Sequence, residues 1–110
     1  MPAQLDNWTG LAGDLWELEF SLVAAAGAPF APAGELRWGL VSRGGQLVLS
    51  RTSADSGVTV AAGAVSVRLG TADTLGLQAG EYRQALVELY PSGDRRTLAQ
   101  GVVWVGRPVF

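Results

Sequence analysis

Three observations predict that this chain folds as an all-β sandwich of about seven strands. No segment carries a sustained 3.6-residue apolar period, so no long amphipathic helix is encoded. Short stretches instead alternate apolar and polar residues, the period of a half-buried strand. Gly, Pro, Asp and Ser separate those stretches at intervals of roughly ten residues, the spacing of a sandwich or barrel. The 110 residues, 48% hydrophobic and 16% charged, suit one globular domain whose core needs neither disulfides nor metal.

The first strand covers 15–22. Trp16, Leu18, Phe20 and Leu22 share its inward face, and Glu17, Glu19 and Ser21 its outward face. Ala25-Ala26-Gly27-Ala28-Pro29 turns the chain, and Phe30-Ala31-Pro32 is an extended connection restricted by proline. A second strand covers 35–43, with Leu36, Trp38 and Leu40 inward. Gly44-Gly45 marks a tight turn, so 46–52 returns as its hairpin partner with Leu47 and Leu49 on one face. After the loop 53–57, a short strand at 58–60 turns at Ala61-Ala62-Gly63 into another at 64–69. Thr71-Ala72-Asp73-Thr74-Leu75 predicts one helical turn N-capped by Thr71. Strands at 81–90 and 97–105 close the fold as a hairpin through Pro91-Ser92-Gly93-Asp94.

Two segments depart from a self-contained sandwich. The last two strands are apolar on both faces: Tyr82 and Leu86 oppose Ala85, Val87 and Leu89, and Val102 and Trp104 oppose Val103 and Val105. A sheet with one wet face alternates more cleanly than this. Either a β-bulge swaps the faces partway, or another chain covers the outer one. Residues 1–13 form the second departure, an arm with no regular period that precedes a sandwich domain at 14–110. Trp16 and Trp38 fall on inward faces, whereas Trp8 and Trp104 are free to anchor an interface. The residues expected at a protein interface are Leu5, Trp8, Leu11, Val103, Trp104 and Val105, with the arm docking on a neighbouring subunit of a homo-oligomer.

The chemistry open to the chain is narrow. It has no His, no Cys and no Lys, which removes the usual neutral-pH general bases, thiolate nucleophiles, Schiff-base amines and transition-metal ligands. Ten carboxylates and eight Arg remain. Glu17 and Glu19 share one strand face, but such a pair is ordinarily a solvated face and nothing nearby offers an apolar wall. Asp55, Asp73 and Asp94 sit in turns or caps without calcium-loop spacing. No serine has a histidine to activate it, and no glycine-rich stretch has the context of a phosphate cradle. The expectation is a non-enzymatic chain without cofactor or metal. A net charge of −2 gives no basic field, so nucleic acid is not an expected partner. The apolar run 22–28 is too short to span a bilayer, and the first residues lack the basic and apolar regions of a secretory signal.

Taken in order, several short motifs of residues 13–105 resemble a family of immunoglobulin-like domains of tailed-phage and prophage virion proteins, related to the N-terminal domain of the phage baseplate upper protein. Gly13-Asp14-Leu15-Trp16-Glu17-Leu18-Glu19-Phe20 is similar to the family's opening strand, and Ala26-Gly27-Ala28-Pro29-Phe30 to its "dGxPvdL" turn. Gly57-Val58-Thr59-Val60 and Gly63-Ala64-Val65-Ser66-Val67-Arg68-Leu69 resemble its central pair. Thr71-Ala72-Asp73-Thr74-Leu75 is similar to its "xxaDTaaL" crossing, and Ala79-Gly80-Glu81-Tyr82 to its "pGxYxY" step. Ser92-Gly93-Asp94 and Gly101-Val102-Val103-Trp104-Val105 resemble its final hairpin. The chain departs from the pattern at Gln84, where the family has a second Tyr, and at Ala31-Pro32-Ala33 after the turn. The resemblance implies an immunoglobulin-like antiparallel sandwich made in a host bacterial cytoplasm and carried in the virion. It implies a structural role, first as a capsid decoration or cement protein among other virion proteins, otherwise as a tail or fibre adaptor. The alternative is a carbohydrate-binding or host-adhesion module that uses surface Trp on a glycan.

Overall fold

The computed structural model describes residues 3–4, 8–21, 34–55, 57–61 and 64–107. Within them the chain forms β1 (Ala3–Gln4), β2 (Trp8–Leu11), β3 (Trp16–Ser21), β4 (Glu35–Ser42), β5 (Leu47–Thr52), β6 (Val58–Ala61), β7 (Ala64–Leu69), a single helical turn α1 (Thr71–Thr74), β8 (Gly80–Leu89) and β9 (Arg95–Gly106). The seven strands expected from the alternating pattern are β3 to β9, with bounds that differ by one or two residues. The turn at 25–32 lies outside the described residues.

The strands build two sheets. The larger has the order β1-β9-β8-β4-β5, with β2 also pairing β9, and the smaller has the order β3-β7-β6. All pairs are antiparallel except β1 and β2, which run parallel to β9. Trp16, Leu18, Phe20, Val65, Val67 and Leu69 from the smaller sheet meet Leu36, Trp38, Leu40, Leu86, Val103 and Val105 from the larger in one core. Opposed sheets of this order, with a fully buried Trp on β4, are those of an immunoglobulin-like sandwich. The corner before β8 fits the same plan: the Tyr82 hydroxyl donates to the Gln78 carbonyl at 2.8 Å, four residues upstream.

Antibody domains place a disulfide cysteine two residues after that tyrosine. This chain has no cysteine, and Gln84 stands there, buried. Its Oε1 accepts the Trp38 indole N–H at 3.0 Å. A buried indole N–H without an acceptor costs about 1–3 kcal/mol, so this bond keeps Trp38 in the core at little cost.

The structure corrects several expectations. The arm pairs with its own chain: Trp8 to Leu11 lie alongside Val103 to Gly106, and Ala12 belongs to the core. Residues 8–12 are therefore part of the sandwich. β5 is bulged, because Val41 pairs with Leu47 and Leu40 with Leu49, leaving Val48 extra. Leu47 consequently faces solvent while Leu49 stays half-buried. The cap of α1 is Gly70, not Thr71; the Asp73 carboxylate reaches back to accept the Gly70 N–H at 2.9 Å.

Candidate functional site

A β-strand sends alternate side chains to opposite faces, so the ladders fix what each sheet shows to the outside. On the larger sheet the outward residues of β8 are Glu81, Arg83, Ala85, Val87 and Leu89, opposite the inward Tyr82, Gln84, Leu86 and Glu88. Register then places Val41 and Val102 on either side of Arg83, and Gly39 and Gln100 on either side of Ala85. Trp104 lies beside Glu81 and Thr9, and Leu47 beside Val41. The centre is a shallow depression of about 290 Å³ lined by Val41, Arg83, Ala85, Gln100 and Val102. Trp104, 46% exposed, rises on one side of it and Leu47, 57% exposed, on the other.

The bulge anticipated in the last hairpin exists. The register shifts between Leu86 and Val87, leaving Leu98 extra in β9. It does not remove the apolar outer face, because Val102 and Trp104 lie beyond it and still point outward. The bulge lies near one end, and outward Val102 and Trp104 lie along the rest.

The smaller sheet presents different chemistry. Its outward residues are Glu17, Glu19, Thr59, Ser66 and Arg68, with Ala61 and Ala64 at one end. Glu17 and Arg68 approach to 4.0 Å while both remain mostly exposed. Glu17 and Glu19 line an open depression of about 490 Å³ with Thr59, Ser66 and Arg68. Both carboxylates are exposed to solvent. No group of three or more His, Cys, Asp or Glu that could hold a metal ion occurs among the described residues.

The expected interface residues separate into groups. Trp104 and Leu11 are exposed on the outward face of the larger sheet. Val103 and Val105 are buried in the chain's own core, a correction that follows from strand alternation: only even-numbered residues of this stretch face outward. Trp8 is half-buried with its ring edge-on to Trp16, centroids 4.9 Å apart at 62°. Trp8 and Trp104 point to opposite sides of the larger sheet and cannot form one aromatic platform. Leu5 lies outside the described residues. Arg83, Val41 and Ala85 were missed as contributors; their shared outward face follows from the β4–β8 register, which a single strand does not disclose.

Two buried polar groups brace the frame. The Thr74 hydroxyl donates to the Asp14 carbonyl at 2.6 Å and accepts the Gly13 N–H at 3.1 Å, tying the turn before β3 to α1. Glu88 accepts the Gly34 N–H at 3.1 Å and the Tyr90 hydroxyl at 2.7 Å, and this carboxylate pushes the Tyr90 phenol above its ordinary value. Arg51 and Asp73 form an ion pair at 2.7 Å. The Arg51 guanidinium, followed by the Gly70 N–H, holds the Asp73 carboxyl below its ordinary value.

No protein-family model matches the chain, and no curated protein matches it. Among solved structures it is similar to CopC from Methylosinus trichosporium OB3b, at 16% identity and a TM-score of 0.47, over 94% of this chain and 89% of that one. A likeness at that level transfers neither ligand nor role. No helix among the described residues is long and apolar enough to cross a membrane.

Proposed function

We propose that this chain is a non-enzymatic assembly domain that docks on a protein partner through the outward face of its larger sheet. The observation that carries the reading is the composition of that face. Val41, Ala85 and Val102 adjoin Arg83, with Trp104 and Leu47 beyond them and Arg37, Glu81 and Gln100 as polar members of the face, and Trp and Arg are the side chains most enriched where interface energy concentrates.

The resemblance of residues 13–105 supports the setting: a virion structural protein, in the first place a capsid decoration or cement protein and otherwise a tail or fibre adaptor. Repetition on a particle compensates for modest single contacts. The carbohydrate-binding reading loses its paired platform, since Trp8 turns inward. The test is sedimentation of the purified chain with the virion particles. Val102→Asp puts a charge in the centre of the face and is expected to abolish co-sedimentation, while Thr59→Asp on the smaller sheet leaves it intact. Equal behaviour of the two variants contradicts the reading.

A further inference from the structure

Four of the five exposed large apolar side chains among the described residues gather at one end of the sandwich: Leu11, Leu15, Leu75 and Trp104. Leu11 and Leu15 bracket the turn that joins β2 to β3. Leu75 packs against that turn, its Cδ1 3.4 Å from where a Gly13 Cβ would stand. Trp104 is the diagonal neighbour of Leu11, which pairs with Gly106. A patch of this kind marks a contact.

The described elements N-terminal to the turn are held by groups C-terminal to it. Among the described residues, β1 and β2 pair with β9 alone. The Trp8 ring stands against Trp16, and the two rings leave no room for a Cβ at Gly10. The Trp16 indole N–H donates to the Leu11 carbonyl at 2.9 Å. A second copy offers the identical slot, so all of these contacts survive if the segment crosses to a neighbour. What exchange gives up is the closed turn: the Asp14 N–H to the Leu11 carbonyl at 3.2 Å, the Gly13 N–H to Thr74, and Gly13 at φ +85°. What it brings together is two hinges with their apolar clusters.

We propose that copies of this chain exchange β1–β2, each pairing with β9 of the other, and that the apolar end around Leu11, Leu15 and Leu75 becomes the new contact between them. Exchange of an identical element is a low-cost route to a dimer, and tight hinge loops control it. Gly13 sets the balance, because a β-branched residue resists a positive φ whereas Asn tolerates it.

The test uses the absence of native cysteine. Gln4 and Gln100 are register partners, at a spacing that a disulfide accepts. The full chain carrying Gln4→Cys and Gln100→Cys is equilibrated at rising concentration, oxidised, and resolved without reductant. A closed chain cross-links to itself and runs as a monomer; reciprocal exchange yields a covalent dimer with no free thiol. The expected result is a dimer fraction that grows with concentration, grows further with Gly13→Val, and stays at the parent level with Gly13→Asn. A self-linked monomer as the sole product of the parent pair at every concentration overturns the proposal, whatever the Gly13 variants do. Because the cross-link reports β1–β9 pairing alone, its failure leaves the docking role of the larger sheet standing.

Discussion

The two outward faces of this sandwich come from strands of the same kind and differ in how much apolar surface they show. On the smaller sheet, inward Leu18 and Val67 alternate with outward Glu17, Glu19, Ser66 and Arg68, as expected of a sheet that faces water. On the larger sheet, inward Trp38, Leu86 and Val103 alternate with outward Gly39, Ala85, Val102 and Trp104, set among outward Arg37, Glu81, Arg83 and Gln100. Both inner faces meet the same demand for apolar burial, so folding does not account for the difference outside. An apolar outer face costs solubility unless something covers it. The contrast therefore separates residues kept for the fold from residues available for a partner.

The strongest way to sharpen that contrast sets the two sides of the larger sheet against each other. Trp38→Ala removes a fully buried indole and is expected to cost about 3–5 kcal/mol in denaturant unfolding. Trp104→Ala, one of the most exposed apolar positions, is expected to shift stability by no more than about 0.5 kcal/mol. In binding to the particle the order reverses, with Trp104→Ala costing about 2 kcal/mol or more if it is an interface anchor. A destabilisation by Trp104→Ala comparable to that of Trp38→Ala would erase the distinction.

A smaller effect isolates the polar bond inside the core. Gln84→Leu keeps the volume but leaves the Trp38 N–H without its acceptor, an expected loss of about 1–3 kcal/mol with docking unchanged. Unfolding curves for Gln84→Leu and Gln84→Glu measure it; a neutral Leu variant would mean that the indole finds another acceptor.

The smallest effect is electrostatic. Asp73 titrates below its ordinary 3.8 in the folded chain because of Arg51 and then the Gly70 N–H. The unfolded chain thus takes up this proton first as pH falls. The stability it contributes is complete above the unfolded value and disappears as pH drops through the folded one. Asp55 acts in the same direction, through the Gly57 N–H first. Thermal midpoints should stay level down to about pH 5 and fall below about pH 4. Asp73→Asn should flatten that acid limb, whereas Glu17→Gln, beside Arg68 at 4.0 Å on the exposed face, should shift stability by less than about 0.5 kcal/mol.

Much of the frame was legible in the chain because alternation is a local property. Leu36, Trp38 and Leu40 could be turned inward from their spacing alone, and they are fully buried. The β5 face was misread because an unpaired Val48 changes phase without changing composition. Residues 8–11 carry no alternation to read: Gly10 contributes space rather than a side chain, and a parallel strand gains its order from β9, some ninety residues away. Val103 and Val105 were expected outside because a strand apolar on both faces gives no phase. Only their pairing with Tyr82 and Gly80 supplies it. Gln84 carried a signal two residues after Tyr82, where other sandwiches of this type keep a buried cysteine.

The central claim is that the larger sheet's outward face touches another protein and the smaller sheet's does not. Site-specific photo-crosslinking tests it most directly, with a benzophenone side chain at Val102 in one variant and at Thr59 in another, illuminated on assembled particles. The account predicts a discrete adduct to a protein partner from position 102 and none from 59. Equal labelling from both positions, or adducts from 59 alone, would contradict it.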